Sequence, residues 1–352
     1  MATDTVIVSD RGGTNPRRLP IFGLAASWEL SNLCSLSCFA NSEDLRATGL
    51  GGDLKGKWLT YESPFGSTCR WGGVITSRPV TDGVAEIAAL GWAVLLRGRA
   101  VWQRARPTMA PPGALARKAL QEASREEPHF LTMGQIDESG SPVLVTWGGE
   151  DIVQDVLPSL TADGQSDWLV TFERQFRFGR LGTDRSASVR LCEGRHILTY
   201  RAPDDLFILA NRLVGVGASR EGLESMRRGK RKRRKRRTIR DSDEFISAAV
   251  EDITSIRKYG PMERVISYSD TRDVGTIQSR LRRELERSAN PTIPLEVSLI
   301  NEDRIFASFS EGDTVTVELG GAGLRGTLRV RVRALDVGNA TMRVAGDFRV
   351  TT

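Results

Sequence analysis

Histidine is nearly absent: His129 and His196 are the only two in 352 residues, 67 positions apart. A metal centre or an imidazole-based triad needs His beside Cys, Asp or Ser in a setting such as HExxH or GxSxG, and neither pattern occurs. Cysteine is scarce too. Cys34, Cys38, Cys69 and Cys192 are too few and too scattered for a disulfide framework. In the run "WELSNLCSLSC" Trp28, Leu30, Cys34, Leu36 and Cys38 share one parity, so an extended strand holds the two cysteines about 13 Å apart. A disulfide spans about 7 Å between Cα atoms at most, so both are expected as buried thiols. Long apolar runs are missing: "AALGWAVLL" is far short of a membrane span. The opening "MATDTVIVSD" lacks the basic region and apolar core of a signal peptide. The expectation is a chain folded in a cytoplasm, with no stable membrane insertion.

Acid is absent from one stretch, "RRGKRKRRKRRTIR", Arg227 to Arg240, which carries eleven Lys or Arg. The whole chain has 50 basic against 44 acidic side chains; without this stretch 39 face 44, and the remaining body is net negative by five. A general nucleic-acid binder spreads positive charge over a face, because its affinity comes from counterion release along many phosphates. Here the excess is local. The stretch fits four readings: a nuclear localisation signal, a phosphate-neutralising arm without an aromatic to stack on bases, a patch for anionic lipid, or a solvated loop.

What is present is alternation. "LPIFGLAASWELSNLCSLSCFA", "KGKWLTYES", "CRWGGVITSRPV" and "VAEIAALGWAVLL" are strand-like and separated by turn residues, giving a first β-barrel domain over 1–107. After the Pro-rich "RPTMAPPG", the spacing of Leu115, Ala119, Leu120 and Ala123 predicts a helix. "PVLVTW" and "DWLVTFERQF" read as strands flanking a short helix in "EDIVQDVLPSL", so 108–225 is an α+β domain. A basic loop occupies 226–240. In 241–352, "DSDEFISAAVEDITSIRKYG" reads as a helix: Asp241 and Glu244 suit a capping box, and Phe245, Ala249, Ile253 and Ile256 make a stripe. "TIQSRLRRELERSANP" is a second helix. "LEVSLI", "DTVTVEL", "GTLRVRVRALDV" and "TMRVAGDFRV" alternate with Val, Leu and Phe inward and Arg, Thr and Glu outward, completing a second barrel.

Three chemical motifs dissolve on inspection. "GGDLKGKW" has P-loop spacing, but Trp58 stands where Ser or Thr must hold magnesium and a strand follows where a helix is required. "GAGLRG" matches GxGxxG yet runs into "TLRVRVRALDV", period two throughout, and is a hairpin loop. The adjacent acids Glu150 and Asp151, and Asp204 and Asp205, suit caps and turns better than acid–base catalysis.

The order of pieces resembles the siphophage tail-tip hub proteins, the minor tail proteins of phages infecting actinobacteria. The segments that carry the resemblance are "ASWELSNLCSLSCFA", "KGKWLTYESPFGSTCRWGGVITS" and "VAEIAALGWAVLLRGR" at the start, with a GxxxLL element from Gly91 to Leu96. At the end they are "SRLRRELERSANP", "PLEVSLI", "EGDTVTVEL" and "LRVRVRALDV". The resemblance implies a mainly β fold with α+β insertions, two β-barrel domains of the tail-hub type and bracing helices. It also implies a homotrimer whose six barrels match a hexameric tail tube, located at the virion tail tip after assembly in the host cytoplasm. Implied partners are the distal tail protein ring, the tape measure protein and other minor tail proteins, with transient contact with phage DNA.

The resulting expectation is a structural hub that closes and opens the tube for genome delivery. It has no catalytic, cofactor or metal residues, and any wall-degrading activity is left to other proteins. The basic run lies outside the family pattern. Its Arg227, Arg228, Lys230, Arg231, Lys232, Arg233, Arg234, Lys235, Arg236 and Arg237 are the expected contacts to an acidic partner or to phosphate. A nucleic-acid-binding protein using 227–240 as its arm is the alternative.

Overall fold

Alternating apolar residues form strands because period two puts every second side chain on one face. The computed structural model describes residues 4–101, 108–124, 130–145, 147–161, 166–202, 210–217, 247–268, 274–288 and 293–350. In chain order the strands are β1 (Asp4–Ser9), β2 (Arg17–Glu29), β3 (Ser35–Asn41), β4 (Trp58–Tyr61), β5 (Trp71–Ser77), β6 (Val80–Thr81) and β7 (Val84–Gly91). Next come β8 (Thr108–Ala110), β9 (Thr132–Ile136), β10 (Val143–Val145), β11 (Asp167–Val170), β12 (Gln175–Gly179), β13 (Arg190–Cys192) and β14 (Ile197–Arg201). The last are β15 (Arg212–Gly217), β16 (Ser247–Glu251), β17 (Glu263–Tyr268), β18 (Ile293–Ile300), β19 (Thr314–Leu319), β20 (Leu324–Asp336) and β21 (Thr341–Val350). The helices used below are α1 (Ser42–Ala47), α2 (Pro112–Ala123), α3 (Leu157–Thr161), α4 (Ile253–Tyr259) and α5 (Val274–Ser288).

The fold is mainly β. One sheet of 13 strands holds two rings. The first runs β1-β4-β5-β7-β3-β2 and closes because β1 also pairs with β2. Its interior is apolar, with Val6, Val8, Leu19, Ile21, Leu24, Leu36, Cys38 and Ile87 all buried. Each large aliphatic side chain there contributes roughly 1.5–3 kcal/mol. The second ring runs β18-β21-β20-β19, and one stretch of chain closes it: β13 pairs with β19 and, four residues later, β14 pairs with β18. β2 and β20 pair across the rings, from Ala25 opposite Asp336 to Glu29 opposite Val332, so the two are one continuous hydrogen-bonded body.

Bulges decide which face is buried. On β2 the buried set shifts from Leu19 and Ile21 to Leu24, Ala26 and Trp28, where the β2–β3 register shifts between Phe22 and Ala25. Gly23 sits there at φ +59, against the Phe39 ring. β20 has the same device between Val330 and Val332.

The α+β module packs α2 (Leu115, Ala119, Leu120) and α3 (Leu157, Leu160) on the three-stranded sheet β11-β12-β9, whose Trp168, Phe176 and Phe178 are buried. Asp151 caps the turn leading into α3, accepting from the N–H groups of Val153 and Gln154 at 2.8 Å.

Contacts divide the chain into two compact units, 1–202 with 294–352, and 203–293. Parts of the expected middle domain, basic loop and C-terminal domain therefore fall within the second unit. That unit is the sheet β16-β15-β17 with α5, whose Ile277 and Leu281 are buried against Leu213 and Ala248.

Three local expectations are corrected. Ser247–Glu251 is a strand, not part of a helix, because Ala248 and Val250 alternate onto β15; the helix begins only at Ile253, capped by Asp252. The expected Asp241 capping box and Phe245 lie outside the described residues. "WELSNLCSLSC" turns at Ser31 (φ 60) and spans two strands, β2 and β3. "DWLVTFERQF" is likewise the hairpin β11–β12, turning at Arg174 (φ 63).

Candidate functional site

The expected contact residues, Arg227, Arg228, Lys230, Arg231, Lys232, Arg233, Arg234, Lys235, Arg236 and Arg237, lie outside the described residues, as do His129, Asp204 and Asp205. The discounted motifs occupy ordinary structural places. Lys57 pairs with Asp10 ahead of β4, and 320–323 is the turn of the β19–β20 hairpin. Among the described residues no three His, Cys, Asp or Glu side chains converge to hold a metal. The four cysteines are free thiols. Of the two thiols expected to be buried, Cys38 is, while Cys34, just before β3, is only partly so; desolvation still pushes both up to about 12, so neither is a thiolate at neutral pH.

The polar chemistry lies where the rings meet each other and the α+β module. Regular alternation along "LRVRVRALD" sends every Arg to the outer face. The bulge at Arg331 breaks that parity, so Leu328 and Val330 are buried before it and Arg333 and Leu335 after it. Arg333, 1 % exposed, is fully engaged. It donates to Glu311 Oε2 from Nε at 2.9 Å and from Nη2 at 2.7 Å, to the Phe309 carbonyl at 3.1 Å and to the Thr68 carbonyl at 2.8 Å. Its guanidinium lies over Trp28 of the first ring, 5.1 Å from the ring centroid. One cation thus ties the first ring (Trp28, Thr68) to the second (Phe309, Glu311).

Arg329 and Arg331, on the other face of β20, take the module. Asp167 of β11 is buried between them, accepting from Arg329 Nη2 at 2.5 Å and Arg331 Nη1 at 2.6 Å, and Arg331 also reaches Asp347 at 2.8 Å. These neighbours hold Arg331 above the usual guanidinium range despite its burial. Arg329 is held below that range, first by burial and then, against Asp167, by nearby Arg331 and Arg180. Sequence reading placed all three arginines outward, and only Leu335 breaking the Val/Ala parity hinted at the bulge.

His196 sits where the second ring closes. The Cys192 N–H donates to its Nδ1 at 3.3 Å, its own N–H donates to the Cys192 carbonyl at 2.9 Å, and its carbonyl accepts from Ile300 N–H at 2.9 Å. With Nδ1 an acceptor, Nε2 carries the hydrogen toward Asp303 Oδ2, 3.2 Å away. That bond is the largest cause holding the Asp303 carboxyl below the usual range, with Arg195 adding to it. The imidazole is therefore spent on closing a ring.

No family model matches the sequence, and no curated protein matches it. Solved structures do share the fold. Over 97 % of this chain and 94 % of the other, it superposes on prophage tail protein gp18 from Listeria monocytogenes with TM-score 0.65 at 12 % identity. The 43 kDa tail protein of prophage MuSo2 from Shewanella oneidensis gives 0.68 at 11 %, covering 98 % of both chains. A tail protein from Neisseria meningitidis gives 0.62 at 13 %, covering 99 % of this chain and 97 % of that one. The chain has the fold of phage tail proteins over essentially its whole length, as the resemblance implied.

Proposed function

We propose that this chain is the structural tail-tip hub of a bacteriophage, joining the distal end of the tail tube to the tip proteins and gating the tube for genome delivery. The observation that carries this reading is the pair of rings fused through β2 and β20. Two ring modules per chain give six around a threefold axis, which is the geometry needed to seat a trimer on a hexameric tube. The shared fold of tail proteins supports the same reading. So does the site, because its buried charges are all committed to holding rings and module together and offer no convergent acid, base and nucleophile.

In this reading the chain is no enzyme, binds no cofactor, and meets the distal tail ring, the tape measure protein and other minor tail proteins in the virion. The basic run Arg227 to Arg237 grips an acidic neighbour or genome phosphates passing the tube. Replacing its Lys and Arg with Gly and Ser is expected to lower particle yield or infectivity; unchanged yield and infectivity contradict this role for the run. Sedimentation of the purified chain is expected to give a trimer, and a monomer at all concentrations that also fails to bind tail tubes contradicts the hub reading.

A further inference from the structure

A cleft of about 430 Å³ opens where the first ring, the β11–β12 hairpin and the 310–313 loop of the second ring come together. Trp28, Trp71 and Trp92, all nearly buried, reach it only by their edges, and its lining carries four carboxylates and four arginines. The volume is that of a ligand site for a drug-sized molecule or a few peptide residues.

The two signs are unequally engaged. Every wall carboxylate already has an internal donor: Glu311 has Arg333, Glu173 has Arg70 at 2.7 Å, and Glu29 has Asn32 Nδ2 at 2.7 Å. Asp313 accepts from Arg185 Nε at 2.8 Å and from the N–H groups of Thr183 and Ser310 at 2.7 and 2.9 Å. Of the arginines, Arg70 and Arg185 are spent on these pairs. Arg177 reaches only the neutral Gln175 Oε1, at 3.5 Å, and Arg180 has no hydrogen bond or ion pair among the described residues. Behind Arg180 lies Arg329, whose buried Nε has no hydrogen-bond partner and whose charge Arg180 opposes. Arg329 and Arg331 are balanced by Asp167 and Asp347, so Arg177 and Arg180 are left without a carboxylate partner among the described residues.

The wall itself is rigid. Gly182 (φ +91) and Gly312 (φ +89) bring two backbones so close that a Cβ on Gly182 would lie 2.0 Å from the Gly312 carbonyl carbon. A cleft held open by backbone contact, with Arg177 and Arg180 unpaired by any carboxylate and only Glu29 of its carboxylates unpaired by a cation among the described residues, favours an anionic group at the two arginines, with limited apolar contact at the edges of Trp28 and Trp92.

We infer that this cleft binds an acidic segment of another polypeptide, its carboxylates on Arg177 and Arg180 and one apolar side chain against the edges of Trp28 and Trp92. A carboxylate-bearing peptide suits it better than a phosphate because a cleft of about 430 Å³ has room for a few residues, most of which a single phosphate would leave unfilled. The site belongs to this chain's own fold and stands whether or not the chain occupies a tail tip.

The test uses the full chain with the Lys and Arg of 227–240 replaced by Ser, so that the basic run does not compete. Binding of an eight-residue Glu peptide bearing one central Leu, and of tripolyphosphate, is measured at low and physiological salt. The peptide is expected to bind, and Arg177→Glu/Arg180→Glu to weaken it at least tenfold. Arg18→Glu/Arg349→Glu, an equal charge change at exposed positions of β2 and β21 outside the cleft lining, is expected to weaken it no more than twofold. Arg177 and Arg180 are both exposed, so melting temperatures of the variants should match, and Arg177→Gln/Arg180→Gln provides a milder second pair. Equal weakening by the Arg18/Arg349 and cleft variants overturns the inference, as does tripolyphosphate binding with no peptide binding.

Discussion

The two rings use one device to opposite ends. In each, a bulge on the strand that joins the rings switches the buried parity: at Gly23 on β2 and at Arg331 on β20. In the first ring the switch keeps apolar residues inside, Leu19 and Ile21 before it, Leu24 and Ala26 after it. In the second it buries Arg333, which must then be matched by Glu311 and two carbonyls. Closure differs as well: β1 folds back onto β2, whereas the second ring is sealed by the β13–β14 stretch pivoting on His196. Both rings have apolar interiors, the second with Val297, Val317, Leu328 and Phe348 buried, but the second adds a few directional polar contacts at its closure and at the junction, so single changes should injure them unequally.

The largest effect is expected at the buried cation. Arg333→Ala leaves Glu311 and two carbonyls without their donor and should cost about 3–5 kcal/mol in urea unfolding. Arg333→Met with Glu311→Leu should recover most of that loss. Recovery would show that the pair adds no net stability over apolar packing, while no recovery would show that it stabilises the junction outright. In the first ring Ile87→Val should cost only about 0.5–1.5 kcal/mol, because the surrounding apolar wall gives partly into the space.

His196→Leu should act through pH. Asp303 is depressed in the folded chain, so its contribution is present above the unfolded carboxylate pKa of about 3.9 and is lost as pH falls below it. Removing the His196 donor removes the largest cause of that depression and leaves Arg195's, so the drop in melting temperature between pH 6 and pH 3 should be smaller in the variant than in the wild type. The smallest effect is expected at Leu198→Ser on the outer face of β14, within about 0.5 kcal/mol of wild type, since the side chain is exposed.

Sequence legibility follows the same division. The shift from Leu19 and Ile21 to Leu24 and Ala26 is written in apolar residues, so the first ring's buried face could be read directly, although the turn at Ser31 that separates β2 from β3 was missed. Along "LRVRVRALD" the alternation passes unbroken through the bulge, because Val332 and Arg333 exchange the faces that their side chains favour. The buried Arg333 and its acidic partner 22 positions away were therefore invisible. Pairing explains the other miss: Ala249, Ile253 and Ile256 have helical spacing, but β15 draws 247–251 into its sheet. Nothing in the sequence brings Arg180 beside Arg329, since only the fold sets the β11–β12 hairpin against β20.

The central claim is that one chain supplies two ring modules to a threefold assembly. A cryo-electron microscopy reconstruction of the purified chain bound to tail tubes tests it most directly. The account predicts three chains with six rings alternating around the tube axis, the β2–β20 pairing intact within each chain. A single copy, or a twofold dimer seated off that axis, would contradict it.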